Sequence, residues 1–206
     1  MKRILMTFIV FVAGLSVIAP DINAQDNTRA SNRQDRMEQW QKDMAEFRAR
    51  SQQDHKLREL ADSIAGIQAV AAVHNQDFVL EATQVTFRSG MTTFVNSATN
   101  FVSVKGNRAV VQISPSNFAS GPNGVGGVTV DGLISGQKMV TGKNGNITYS
   151  FNVMGVGINA QVEIYIFPGS NNASATIYPN FNSNTVWLQG TIVPYENSNV
   201  IEGNSL

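Results

Sequence analysis

Residues able to act as acids, bases or nucleophiles are sparse in the C-terminal part of the chain. Glu81, Asp131 and Glu163 fall singly on separate predicted strands, and Glu196 lies just beyond the last strand. Hydrolysis by paired carboxylates needs two such groups at one cleft. No histidine follows His74, so the serines of this part have no base for nucleophilic catalysis. We therefore predict no catalytic residue and no enzymatic activity, with a hydrolase as the least favoured function.

Metal and cofactor sites have no better support in the sequence. The chain has no cysteine, and its two histidines are His55 and His74. Asp54 adjoins the first histidine and Asp77 lies three residues after the second. Because a metal site needs three or four converging ligands, we predict two surface histidines, no metal and no cofactor.

A glycine-rich block, Gly121 to Gly132, is the most unusual motif of the chain. A phosphate-binding loop follows a strand and opens a helix. Here the alternating residues from Val128 onward predict a strand after the block, and no Gly-Lys-Ser/Thr is present. The block is therefore predicted to be a surface loop that leads into a strand. Two residues of its exposed tip, Asn123 and Gly124, are candidate ligand contacts.

The overall composition limits the possible partners. Fifteen basic and fifteen acidic residues balance each other, so no net charge draws the protein to nucleic acid. The lack of cysteine excludes disulfides and thiolate chemistry, and the core alone must hold the fold. We expect an unknown small molecule or an envelope protein as partner, and no nucleic acid.

Residues 1 to 24 have the pattern of a secretory signal peptide. Lys2 and Arg3 precede a mostly apolar run from Ile4 to Ala19, and the segment ends at Ala24. The run is shorter than the ~20 residues of a membrane-spanning helix. We expect cleavage after Ala24, no transmembrane segment after cleavage, and a periplasmic or secreted protein. An uncleaved anchor is the alternative.

Residues 25 to 76 form a charged segment with helical periodicity. The ten residues from Phe47 to Leu57 shift the second of two apolar stripes by about 80° around a helix. Because Arg48 to Lys56 is also polar, the sequence predicts two helices or one broken helix. The second stripe is expected to pack on the β domain, with a short self-associating coiled coil as the alternative. The stripes are Met37, Trp40, Met44 and Phe47, then Leu57, Leu60, Ile64, Ile67 and Ala71.

Residues 77 to 196 have the composition of an antiparallel β domain, and 197 to 206 are predicted to be a flexible tail. Runs rich in Val, Ile, Thr and aromatic residues alternate with turns that contain Gly and Asn. No stretch of ten or more residues in this part has helical periodicity, which argues against parallel strands joined by helical crossovers. We predict a mainly β fold, an antiparallel β-sandwich or lipocalin-like barrel, with an N-terminal α-helical segment. The predicted strands are 78–87, 92–95, 101–104, 109–113, 128–134, 138–141, 147–154, 160–167, 173–178 and 185–193.

Four large aromatic residues fall on the polar side of the late strands: Tyr165, Phe167, Tyr178 and Trp187. Residues 57 to 71 are expected to cover them, and an exposed patch that binds a partner is the alternative. Tyr165 and Trp187 are also candidate ligand-binding residues.

Several segments of the β domain carry a family resemblance. They are Asp77–Ala82, Asn100–Gly106, Pro122–Gly132, Ile158–Ile164, Ala173–Pro179 and Gly190–Val193. Over about residues 75 to 195 the chain resembles a secreted bacterial family catalogued as domain of unknown function 4251. The resemblance implies an exported product of Bacteroides-type Gram-negative bacteria, with a signal peptide and a charged helix before the domain. It implies no activity and no catalytic residue. The lack of a lipoprotein cysteine favours a soluble periplasmic or secreted form.

Two functions fit this pattern. The first is binding of a small apolar or glycan-like ligand at the mouth of a barrel, lined by aromatic residues. The second is a protein-interaction or inhibitor module in the cell envelope, with the loop at Gly121 or the helix as its contact. A barrel with a filled interior would argue against the first.

Overall fold

The structure is a computed structural model that describes residues 22–115, 127–180 and 184–205. Most of the predicted signal segment and the candidate residues Asn123 and Gly124 lie outside the described residues. The contacts divide the chain into two compact units, residues 1–53 and 54–206. The end of the helical segment therefore belongs to the same unit as the β domain.

A single helix, α1, spans Ile22–His74. The prediction of two helices or one broken helix was wrong. The polar stretch Arg48 to Lys56 contains no glycine or proline, and its arginine, alanine, glutamine and lysine residues are strong helix formers. The helix ends where Gln76 adopts a left-handed φ of 54°, which turns the chain into the first strand.

The end of α1 packs on the β domain through small residues. Ala69, Ala72 and Val73 are buried in the main hydrophobic core. A Cβ atom on Gly66 would lie 2.9 Å from the backbone nitrogen of Ser170. The helix backbone thus approaches a turn of the β domain too closely for a larger residue at this position.

The helix face predicted to pack on the β domain is exposed. Leu57, Leu60, Ile64 and Ile67 are between 55% and 69% exposed. Large side chains would hold the helix away from the turn at Ser170, whereas the small residues of another face permit the close approach. The prediction that the helix end lies on the β domain is confirmed, but the face was wrong.

Within the described residues, nine strands follow the helix. They are β1 Asp77–Phe87, β2 Thr92–Phe94, β3 Phe101–Lys105, β4 Arg108–Ile113, β5 Val128–Thr141, β6 Ile147–Gly155, β7 Asn159–Ile166, β8 Asn172–Pro179 and β9 Val186–Pro194. The two strands predicted at 128–134 and 138–141 are one strand, β5. A bulge between Ser135 and Lys138, with Gly136 at a φ of 63°, carries the strand through the predicted break.

Pairing of the first strand with the last closes the sheet. From β3 onward each strand pairs antiparallel with the next, and β1 pairs with both β3 and β9. Together β1 and β3 to β9 form a closed eight-stranded barrel, while β2 pairs only with the end of β1. Of the two predicted architectures, the barrel is confirmed.

The barrel interior is packed with side chains. Along β7, for example, Ala160, Val162, Ile164 and Ile166 are buried and the residues between them are exposed. Large side chains fill the middle. Tyr149 lies between Phe78 and Phe151, with ring centroids 6.0 Å and 5.3 Å away. Its hydroxyl is buried and has no hydrogen-bond partner among the described residues.

The end of the glycine-rich block has a structural role. Gly127, just before β5, has a φ of 83°, and a Cβ atom there would clash with the carbonyl oxygen of Ile113. A Cβ atom on Gly132 would clash with the carbonyl oxygen of Met154 on the neighbouring strand. Both positions therefore require glycine because another backbone passes close by.

Residues 197–205, where the sequence predicted a flexible tail, lie against the outside of the barrel. After a short 3₁₀ helix at Tyr195–Asn197, Ile201 donates its N–H to the carbonyl of Ala98 at 2.8 Å. The buried side chain of Gln112 bonds the tail at Ile201 and Gly203. Val200 packs on an outer apolar cluster formed by Val79, Phe101 and Val110.

The contact at Gly66 predicts a position-specific cost for a larger side chain. Gly66→Val should lower the free energy of unfolding by about 1–3 kcal/mol, because the new side chain overpacks the helix against Ser170. Chemical denaturation measures the change. Ser63→Val, an exposed control on the same helix, should cost well under 1 kcal/mol. Equal losses for the two variants would contradict the packing described.

The unpaired Tyr149 hydroxyl predicts that its removal is harmless. Tyr149→Phe should leave the free energy of unfolding unchanged or raise it by about 1 kcal/mol, since a buried hydroxyl without a partner is destabilising. Tyr149→Ala, which removes the packed ring, should cost about 3–5 kcal/mol. A clear loss of stability in the phenylalanine variant would mean that the hydroxyl has a partner.

Tyrosine ionisation predicts a loss of stability in alkaline solution. Burial raises the pKa of Tyr149, and burial together with Glu202 raises the pKa of Tyr195. The contribution of these two neutral tyrosines to the free energy of unfolding should therefore be fully present below the unfolded-state pKa of about 10. It should fall as the pH rises above that value. Urea unfolding between neutral and alkaline pH measures this slope. The slope should be shallower for Tyr149→Phe, and an equal slope would contradict the assignment.

Candidate functional site

Tyr165 and Trp187, expected to line the mouth of a barrel, point outward from its wall. They are 36% and 40% exposed, whereas their strand neighbours Ile164 and Leu188 are buried. Alternation along β7 and β9 directs these aliphatic neighbours inward. The lining of the barrel interior therefore does not include either aromatic residue.

Tyr165, Phe167, Tyr178 and Trp187 form a surface that we call the aromatic face. They lie on or directly after β7, β8 and β9, and each is between 36% and 45% exposed. The rings of Tyr165 and Phe167 meet edge to face, with centroids 5.0 Å apart. Trp187 pairs with Thr176, two residues before Tyr178. Trp187 and Tyr178 are therefore diagonal neighbours, with Cα atoms about 7–8 Å apart. Residues 57 to 71 do not remove this face from solvent.

Hydroxyl and amide side chains separate the rings. Tyr165 pairs with Ser174, which pairs with Gln189 on the next strand. Trp187 lies in the same row as Thr176 and Glu163. Glu163 is the one charged residue in β7, β8 and β9. The aromatic face is therefore an amphipathic and almost uncharged surface.

Exposed apolar residues continue from the aromatic face onto β2. Thr86 of β1 pairs with Trp187 on one side and with Thr92 on the other. Beyond it, Met91 is 61% exposed and Phe94 is 81% exposed. We did not select Phe94 from the sequence, because a strand of three residues shows too little alternation to reveal its outer side.

The carboxylates considered for catalysis have separate surroundings. Arg108 holds Asp131 through two hydrogen bonds of 2.8 Å. These bonds raise the pKa of the Arg108 guanidinium, so it stays charged. Glu81 accepts a hydrogen bond from the Ser198 hydroxyl at 2.6 Å. Glu163 lies on the outer side of β7. Two of these carboxylates thus hold the C-terminal part of the fold in place.

Metal-binding groups do not converge within the part of the chain that the structure describes. No group of three or more His, Asp or Glu side chains there could hold a metal ion. His55 and His74 are both exposed, and His55 lies 3.3 Å from Glu59, one turn along the helix. Among the described helical residues, no segment is both long and apolar enough to span a membrane.

Comparison with known proteins places the β domain and the end of α1 in one family. Residues 65–192 match the family model described as "Domain of unknown function (DUF4251)". A crystal structure of a DUF4251 family protein from Bacteroides eggerthii DSM 20697 is 51% identical and covers 68% of this chain and 95% of its own, with a TM-score of 0.61. No curated protein matches the chain. Because the family model matches more than half of the sequence, the chain belongs to the DUF4251 family.

Proposed function

We propose that this protein is an exported, non-enzymatic binding module that holds a neutral, glycan-like ligand on the aromatic face. The observation that supports this is the placement of four partly exposed aromatic residues on the outer side of neighbouring strands, among hydroxyl and amide side chains. The filled interior around Tyr149 argues against the barrel mouth as the site. The ligand-binding hypothesis therefore moves to the outer wall.

The chemistry of the aromatic face suits a carbohydrate. One side of a sugar ring presents aliphatic C–H groups that pack on an aromatic ring, and its hydroxyls can bond neighbouring polar side chains. Trp187 and Tyr178 offer two rings on diagonally neighbouring positions of adjacent strands, with Thr176 and Ser174 beside them. Tyr165 lies one strand further along. A ligand of several sugar units would contact more than one ring.

Charge and export support a neutral ligand outside the cytoplasm. Glu163 is the one charged residue in β7, β8 and β9, and the formal net charge of the chain is zero. The electrostatic field of the protein would therefore not attract a polyanion. The signal-peptide pattern of residues 1 to 24 supports a periplasmic or secreted location, where glycans are available.

A protein partner is the second candidate. The continuation of exposed apolar side chains to Met91 and Phe94 makes the surface broader than one sugar chain requires. Broad apolar patches of this kind mark protein contacts. This function would use the same face, as an interaction or inhibitor module in the envelope.

Tryptophan fluorescence can test the glycan proposal directly. The chain has two tryptophans, so Trp40→Phe leaves Trp187 as the reporter. We expect neutral hexasaccharides of glucose, xylose, mannose or N-acetylglucosamine to change its emission in at least one case. Tyr178→Ala should weaken that binding about tenfold, which corresponds to ~1.4 kcal/mol of lost stacking.

Leu133→Ala is the matched control, because Leu133 is an exposed apolar residue on β5, away from the aromatic face. It should not change the affinity. If no sugar binds, or if Tyr178→Ala binds as well as the wild type, the glycan proposal fails. An envelope protein captured by the wild type and lost on Trp187→Ala with Phe94→Ala would then favour the second candidate.

A further inference from the structure

The C-terminal tail is bound to the barrel in the manner of a peptide ligand. Ile201 donates its N–H to the carbonyl of Ala98 at 2.8 Å. The side-chain amide of Gln112 donates to the carbonyl of Ile201 at 2.9 Å and accepts the N–H of Gly203 at 2.7 Å. One side chain thus bonds the backbone at two positions two residues apart, as a neighbouring strand would.

Gln112 is held in the orientation that this contact needs. It is fully buried, and its Nε2 also donates to the carbonyl of Thr99 at 3.1 Å. Its Oε1 accepts a hydrogen bond from the Thr129 hydroxyl at 3.1 Å. Because the barrel itself fixes both ends of the amide, Gln112 keeps its orientation when the tail leaves.

Charge and apolar contacts select the tail side chains. Arg108 bonds one carboxylate oxygen of Glu202 at 3.1 Å, and the Tyr195 hydroxyl bonds the other at 3.2 Å. Asp131 fixes the guanidinium of Arg108 by accepting hydrogen bonds from its Nε and Nη2, and the same Nη2 donates to Glu202. Two residues before Glu202, Val200 packs on the outer apolar cluster of Val79, Phe101 and Val110.

The side chain of Ile201 adds little selectivity, and the tail is not a strand of the barrel. Ile201 is 58% exposed, so its side chain is not selected. The recognised pattern is therefore an aliphatic residue, any residue, a glutamate and a residue that carries a backbone N–H. The tail takes no part in the strand pairing that closes the barrel, so it can detach without breaking that pairing.

We propose that this surface is a peptide-binding site, occupied in the isolated chain by its own tail and open to a partner peptide of the same pattern. We call it the tail groove, formed by Ala98, Arg108, Gln112 and Tyr195 with Phe101 and Val110. The backbone bonds from Gln112 accept any extended peptide, and Arg108 adds the selection for glutamate. The tail groove is formed by β3, β4, the loop before β3 and the 3₁₀ helix after β9, and it shares no residue with the aromatic face.

The tail competes with any partner because it is tethered. A short tether gives an effective concentration on the order of millimolar. A peptide added in solution must overcome this competition in the unmodified chain. Disabling the tail within the full chain should therefore raise the affinity for an added peptide at least tenfold.

Fluorescence anisotropy with a labelled peptide tests the proposal. The probe has the sequence of residues 198–205, Ser-Asn-Val-Ile-Glu-Gly-Asn-Ser. The protein is the full chain with Glu202→Ala and Gly203→Pro, which remove the carboxylate and the donor N–H and leave the groove unchanged. We expect saturable binding, at least tenfold tighter than to the unmodified chain. No binding at millimolar protein, with the melting transition of the barrel intact, would overturn the proposal.

The contact between Arg108 and Glu202 supplies the control. Replacing the glutamate of the probe by glutamine should weaken binding to the tail-disabled chain at least fivefold. In the same chain with Arg108→Met added, the two probes should bind equally. A fivefold preference that persists without Arg108 would overturn the assigned contact.

Hydrogen exchange on the unmodified chain gives a second test, which does not depend on any substituted protein folding correctly. Excess unlabelled peptide should displace the tail, so the amides of Ile201 and Gly203 should exchange faster while those of β7 do not change. Unchanged exchange at Ile201 and Gly203 at millimolar peptide would count against displacement and overturn the proposal.

Discussion

The hydrogen bonds between β1 and β9 are the contact on which the rest of the structure depends. The two strands are paired over nine residue pairs, from Phe78 opposite Pro194 to Phe87 opposite Val186. Closure removes the open edges that a sheet of this length would otherwise present to other chains. The contact requires close approach, since a Cβ atom on Gly190 would clash with the carbonyl oxygen of Glu81. A bulge between Ala82 and Gln84 shifts the register, and the two strands stay paired on both sides of it.

Closure also gives the barrel a filled interior. The inward residues of eight strands meet in one core, and Phe78, Tyr149 and Phe151 fill its middle. The packed interior is the reason for placing the proposed ligand site on the outer wall. Inward and outward residues alternate along each strand, so an aromatic residue placed between two inward residues points to the outer side of the barrel.

The two sides of the outer wall differ in what covers them. On β3 and β4 the C-terminal tail buries Phe101, Val110 and Gln112, although these residues have outward positions. On β7 to β9 the described chain leaves Tyr165 and Trp187 partly exposed. The covered side shows how this wall holds an extended segment, through a side-chain amide, an ion pair and a small apolar cluster. The uncovered side carries rings and hydroxyls in place of these groups.

The strands could be predicted from the sequence because their signals are local. Alternation and turn residues placed most strand ends within one or two residues, and the error at β5 arose because Gly136 permits a bulge where a break was predicted. The alternation that placed Trp187 on the polar side of its strand is an equally local signal. The outward position of Phe94 could not be predicted, because β2 has three residues and is too short to show alternation.

By itself, the sequence determined an antiparallel meander after one charged helical segment, and it placed four aromatic residues away from the aliphatic side of their strands. Only the tertiary structure decided that β1 meets β9, that small residues rather than the Leu57 stripe pack at the helix end, and that the tail binds Gln112. The physical reason is the range of the interaction. Periodicity and turn chemistry act between near neighbours, whereas closure, close approach and a buried amide join backbones far apart in the chain.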